Sequence, residues 1–389
     1  MHVALFRYGF RPFFLAAGLS ALVLVPWWAS SFAFGAPLGT GWPPTLWHGH
    51  EMLFGFIVAA IAGFLLTAVP SWTGQRGFAG RSLLLLTVLW VLGRLFVASS
   101  ASWPMAFVAG VDLSFLPILA AMVALPLLRT RSRNTPLLMV LAVLWLCDAA
   151  FYWALRGGNA PAASHALLIG IDVMLVLVTV IGGRIVPAFT TSALKASGGE
   201  VGPRAWTGVT PVTIGLMVAV AAADVLWPNS ASTGLIAAAA ALAQGTRLLQ
   251  WRPLRALRMP IVWVLHLAYA WLPIGLALKA VALLAGAAIA AFWLHALTIG
   301  ALATMILAVM SRAILGHTGR PLVVATPIAI AYGLLSAAAV VRVFGLAWIG
   351  RSYLGVIVLS AMLWTAAFAL FIAIYAPMLL SPRVDGKPG

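Results

Sequence analysis

The sequence predicts an all-α, polytopic transmembrane helix bundle of about twelve spans, with both termini cytoplasmic. Three observations carry that expectation. Of 389 residues, 63% are hydrophobic and only 8% are Asp, Glu, Lys or Arg, against roughly 25% charged in ordinary soluble domains, so a water-facing surface cannot be assembled. Apolar runs of about 20 residues recur along the whole chain, each long enough to cross roughly 30 Å of hydrocarbon. The basic residues alternate between connections in the way that sets sidedness. Soluble enzymes, disordered chains and secreted disulfide scaffolds are thereby excluded, as are β-barrels, whose strands alternate apolar and polar residues.

The first run follows MHVALFRYGFR and covers 13–34. Its length, and the runs that follow it, make it a first helix and not a signal peptide. Further spans are expected over 48–70, 82–99, 105–128, 136–155, 162–187, 207–227, 231–251, 260–285, 290–311, 324–344 and 352–379. Short Gly/Pro-rich connections punctuate them: GAPLGTGWPP, SWTGQRGFAG, SGGEVGP and GHTGRP. No soluble domain fits between them, so residues 1–389 read as one transmembrane domain.

Eighteen of the 23 basic residues, among them Arg7, Arg11, Arg129, Arg131, Arg133, Arg204 and Lys387, fall on one side of this arrangement. Arg156, Arg342 and Arg351 fall on the other. Cytoplasmic loops hold positive charge, so the basic side is cytoplasmic and, in a Gram-negative host, the other faces the periplasm from the inner membrane. The net charge of +16 is thus a topology signal; no nucleic-acid-binding pattern accompanies it.

Charges inside the bilayer cost about 2.5 to 3.5 kcal/mol each on insertion scales, which makes their positions informative. Arg94, Asp112, Asp148, Asp172 and Lys279 lie within spans, about five to ten residues from the outer face; at 1.5 Å per residue they share a layer roughly 8 to 15 Å deep. The expectation is a polar site in the outer half of the bundle, with plain helix-to-helix ion pairs as the alternative. His48, His50 and Glu51 in TLWHGHEM, and His295 in FWLHALTIG, border that layer. Within a helix, residues i and i+2 point about 200° apart, but at a non-helical start both imidazoles can converge on copper, iron or zinc. Glu51 is placed to orient an imidazole or move protons; a solvated interfacial His pair is the alternative. His295 completes a three-His site or ligates a separate haem. His266, with Tyr269 one turn on, and the loop residue His317 lie toward the cytoplasmic side and form a second site, or His317 caps its helix. His165, Asp172 and Thr179 recur every seven residues as a proton path or an interhelical seam.

The absences narrow the chemistry. There is no Walker sequence, no CxxCH for covalent haem, and the single Cys147 excludes Fe–S clusters and dinuclear thiolate copper. Any haem is therefore b-type and held by His.

FRPFFLAAGLSAL, LWHGHEMLFGFIVAAIAGFLLTAVPSWTG, LHLAYAWLPIGL and LHALTIGALATMILAVMSRAILGHTGR resemble the NnrS family of bacterial membrane proteins over essentially the full chain. That resemblance implies about twelve helices containing haem b and copper, and a link to nitric oxide metabolism, nitrosative stress and denitrification. It carries metal or haem roles to His48, His50, His266, His295 and His317; Arg94, from the charged layer and not from the resemblance, is a further cofactor-binding candidate. Three functions follow as expectations. One is an enzyme that reduces nitric oxide with electrons from quinol or a periplasmic donor and with Glu51, Asp148 and Asp172 as proton relays. The others are a non-catalytic haem protein that binds or senses nitric oxide, and a secondary transporter, whose related halves are not evident between 1–200 and 201–389.

Overall fold

The computed structural model describes residues 4–196, 198, 206–348 and 352–387. Arg204, Arg351 and most of the SGGEVGP connection lie outside the described residues. Among the described residues there is no strand. The long helices are α1 (Phe10–Phe34), α2 (Pro44–Thr73), α3 (Arg81–Ala98), α4 (Met105–Arg129), α5 (Leu137–Arg156), α6 (Ala160–Ala196), α7 (Val209–Leu226), α8 (Ala231–Gln250), α9 (Pro260–Ala285), α10 (Ala288–His317), α11 (Thr326–Trp348) and α12 (Tyr353–Leu380).

Eleven of them are long and apolar enough to cross a membrane. The remaining one, α8, forms where a span was expected and has 20 residues, but Thr233, Gln244, Arg247 and Gln250 on its buried face dilute its hydropathy. Its start is capped by Ser230, whose hydroxyl accepts from Thr233 N–H at 3.2 Å. At the other extreme of termination, α1 stops at Gly35, whose φ of 69° lets its N–H reach back to the carbonyls of Ser30 and Ser31.

Contacts divide the chain into two compact units. Unit 1 comprises 1–170, 313–321 and 368–389, and unit 2 comprises 171–312 and 322–367. In unit 1, α1 packs closely on α2, because a Cβ at Gly63 would stand 2.7 Å from the ring of Phe14; small residues at such crossings let backbones approach in lipid. Arg11 is fully buried and closes the end of α12, with Nη1 donating to the carbonyls of Met378, Leu379 and Ser381 at 3.2, 2.9 and 2.7 Å. A cation at the negative end of a helix, satisfying its last free carbonyls, is doubly favourable.

In unit 2, α8 and α9 pack together, with Gly234 facing Leu283 and Leu284. Gly183 has no space for a Cβ because the Arg247 guanidinium occupies it. That group donates to Thr179 O at 2.7 Å and to the Tyr269 hydroxyl at 3.3 Å, while Gln244 links Thr179 and Tyr269.

Two helices contain wider π turns, Glu51–Ile57 in α2 and Ala296–Ala303 in α10, and the residue immediately before each is a histidine, His50 and His295. A π turn re-phases the side chains beyond it and is frequent at functional sites.

Candidate functional site

Pro44 stands at the first position of α2, where a missing N–H costs nothing and the fixed φ favours the helix. The helix therefore runs through Pro44–His50, and His48 and His50 are both helical positions, not the non-helical start at which their rings could converge. His48 stacks on Trp28, with ring centroids 4.2 Å apart at 24°. His50 enters the interior of unit 1 and is fully buried, as is Glu51.

Around His50 the structure gathers side chains from four helices. Its Nδ1 lies 3.2 Å from Glu51 Oε1, and its Nε2 lies 3.1 Å from Asp148 Oδ1 on α5 and 3.2 Å from Asp112 Oδ2 on α4. Arg94 on α3 makes ion pairs with both Glu51 and Asp112. The Tyr152 hydroxyl donates to Asp112 Oδ2 at 2.8 Å. Trp42, Phe54, Phe151 and Tyr152 surround the imidazole, with centroids 4.7 to 5.6 Å away. Ligating atoms of His50, Asp112 and Asp148 all lie within 4.8 Å of one another.

Charge decides what this arrangement can hold. Three carboxyl groups face one guanidinium, so with all three ionised the cluster would carry two excess negative charges with a neutral imidazole and one with an imidazolium. Buried charge of that kind is costly unless paired; a bound cation or additional protons offset it. The donor set of one imidazole nitrogen and two carboxylate oxygens suits a divalent metal such as copper(II), iron(II) or zinc. Beside it, a void of about 10 Å³ for the centre of a water-sized sphere is lined by Arg94, Asp112 and Asp148 together with Phe54, Trp90 and Phe115. That is room for about one water molecule, or a diatomic gas.

The other charges expected in the same layer belong to unit 2. Lys279 on α9 forms an ion pair with Asp224 on α7 and lies 4.6 Å from the centroid of Trp293. Asp172 on α6 lies beside this pair, and all three groups are buried. The group thus has two acidic side chains against one basic side chain. Thr179, one stripe position further along α6, belongs to the Arg247 and Gln244 network. The sequence argument missed Asp224, although it stands two residues before the end of α7, and missed Tyr152, which looked like one more aromatic of a span.

His266 is buried, its Nε2 lies 2.9 Å from Thr190 Oγ1, and its Nδ1 has no hydrogen-bond partner among the described residues. His295 borders the π turn of α10, with Phe292 6.5 Å away. His317 ends α10 in unit 1, where its ring lies 5.9 and 5.4 Å from those of Tyr8 and Phe10 and its carbonyl accepts from Arg383 Nη1 at 2.9 Å.

A family model described as NnrS protein matches residues 4–383 of the chain. No curated protein matches it.

Proposed function

Because the chain belongs to the NnrS family, we propose that it is a multi-pass protein of the bacterial cytoplasmic membrane, with twelve spans and both termini inside, that binds nitric oxide and reduces it at a metal held by His50, Asp112 and Asp148. The observation that carries this reading is the buried cluster itself: three ligating side chains converge where carboxylates outnumber cations, next to a void of diatomic size. The family resemblance implies copper, and the donor set would accept it as copper(II). Haem b needs an imidazole with one nitrogen anchored and the other open, and His266 offers that arrangement; His295 and His317 are the further family positions. Bound, these groups supply a gas-binding metal and a route for electrons.

The chain's own residues account for the rest. Nitric oxide is apolar and reaches the site through the bilayer. Two molecules of it, two electrons from quinol or a periplasmic donor, and two protons give N2O and water. Glu51 holds one oxygen on Arg94 and His50 while its second, Oε2, is buried without a hydrogen-bond partner among the described residues, and so is placed to take up a proton. Asp148 stands on the opposite side of the imidazole and can pass one on. Arg94, engaged by Glu51 and Asp112, fixes the carboxylates instead of contacting a cofactor directly. In unit 2, Asp172, buried beside Asp224 and Lys279, is the relay candidate.

The test is metal analysis combined with single-turnover N2O measurement on the purified protein. His50→Ala and Asp148→Asn are expected to lose one metal and N2O formation, whereas His48→Ala, whose ring stacks on Trp28 and lies outside the carboxylate cluster, retains the metal. A folded His50→Ala protein with full metal content would sink the assignment. Nitric oxide binding without N2O in the metal-replete protein favours a carrier or sensor.

A further inference from the structure

At the end of unit 2 where α6 finishes and α9 begins, a cavity of about 410 Å³ opens among Ser192, Ala196, Arg258, Pro260, Arg312 and Val323. We propose that it is a binding site for the phosphate headgroup of an acidic phospholipid, with the acyl chains lying along the adjoining helix surface.

Four features converge on that occupant. Two guanidinium groups, Arg258 and Arg312, line the cavity, and no described lining residue is acidic. Arg312 is held in place by Phe189, its guanidinium carbon 3.9 Å from the ring centroid, while Arg258 is exposed and able to swing. The cavity also receives the N-terminus of α9, a 26-residue helix whose first residue is Pro260; the partial positive charge there favours an anion. Finally, the rim is apolar where a water-facing loop would be polar: Val323 is 76% exposed, and the neighbouring segment before α9 exposes Leu254 and Leu257 by 78% and 62%. A soluble anion would leave those side chains in water. A lipid covers them while its phosphate meets the arginines, and basic pockets between helix ends are a recurrent means of holding acidic headgroups.

The experiment is native mass spectrometry of the full chain in detergent, titrated separately with phosphatidylglycerol, phosphatidylcholine and inorganic phosphate. Phosphatidylglycerol is expected to bind in preference to phosphatidylcholine. Arg258→Gln and Arg312→Gln should each lower that preference about fivefold, the factor corresponding to about 1 kcal/mol per basic residue at a membrane surface. Arg312→Lys, which keeps the charge, should retain most of it. Arg258 is exposed, so its variant folds normally and keeps the test informative if loss of the Arg312–Phe189 contact weakens the fold. Equal binding of the two lipids, or an unchanged preference in Arg258→Gln and in a folded Arg312→Gln protein, overturns the site. Inorganic phosphate that stabilises lipid-free protein as fully as phosphatidylglycerol does overturns the lipid as occupant.

Discussion

Replacing Arg94 by Gln tests the charge balance of the His50 cluster most directly. Arg94 is the only arginine or lysine paired with its carboxylates among the described residues, and it serves two of them, Glu51 and Asp112. Its side chain is 11% exposed while those of Glu51 and Asp112 are 0% and 4% exposed, so solvent cannot substitute for it. Removing one partner of a buried pair costs about 3 to 5 kcal/mol, because the other charge stays behind. At about 1.4 kcal/mol per tenfold, the folding equilibrium should fall roughly a hundredfold to a few thousandfold. Reversible unfolding in mixed detergent and dodecyl sulfate micelles reads this, with the metal removed so that binding does not mask it. The double variant Arg94→Gln/Glu51→Gln should recover part of the loss, since the stranded carboxylate is gone, and the cycle should show a coupling on the order of 0.5 to 3 kcal/mol. A loss below about 1 kcal/mol, the range of exposed ion pairs, together with no recovery in the double variant, would refute the picture of a buried and charge-imbalanced cluster.

Two other outcomes follow from the remaining charges. In unit 2, Asp172→Asn should change stability little, because it removes the acidic group that exceeds the single lysine, whereas Lys279→Met should cost about 3 to 5 kcal/mol by stranding Asp224; the same unfolding assay separates them, and equal losses would contradict that imbalance. At the C-terminus, Arg383 Nε and Nη2 donate to the exposed Asp385 carboxylate at 2.8 and 2.6 Å and hold its pKa well below the usual carboxylate range. The clasp is therefore present above the ordinary Asp pKa and opens as pH falls through the lowered one. Hydrogen exchange of Val384 N–H, bonded to Thr318 O at 3.2 Å, should accelerate only in strong acid in the native protein, and already near neutral pH in Asp385→Asn.

The helices were legible because the bilayer imposes a length and an apolar composition on each of them separately. Only α8 fell short, and for a visible reason: Thr233, Gln244, Arg247 and Gln250 face partners inside unit 2. The charged residues were legible as unusual for the same energetic reason. An ionised group in hydrocarbon must find a partner, so Arg94, Asp112, Asp148, Asp172 and Lys279 could be singled out before any partner was known. Which partner each finds depends on helix rotation and adjacency, and neither is written in hydropathy. The single layer inferred from depth along straight helices consequently resolves into two clusters, one in each unit. Asp224 escaped notice because a carboxylate so near a helix end looks solvated.

The histidines show where spacing ceases to be informative. An HxH pair is compatible with one metal or with two unrelated surroundings, and a single proline decides between them: Pro44 begins the helix early enough that His48 and His50 point to different sides. The π turns act at the next level. Inserting a wider turn directly after His50 changes the phase between that imidazole and everything beyond Ile57, so a ligand set cannot be read from a period of 3.6 residues across it. The same local arrangement recurs after His295, with Gly55 and Gly300 each five residues beyond the histidine. No extended sequence similarity marked these segments as related. What recurs is a backbone device, a histidine immediately before a π turn, and it is visible only when hydrogen-bonding pattern and sequence are considered together.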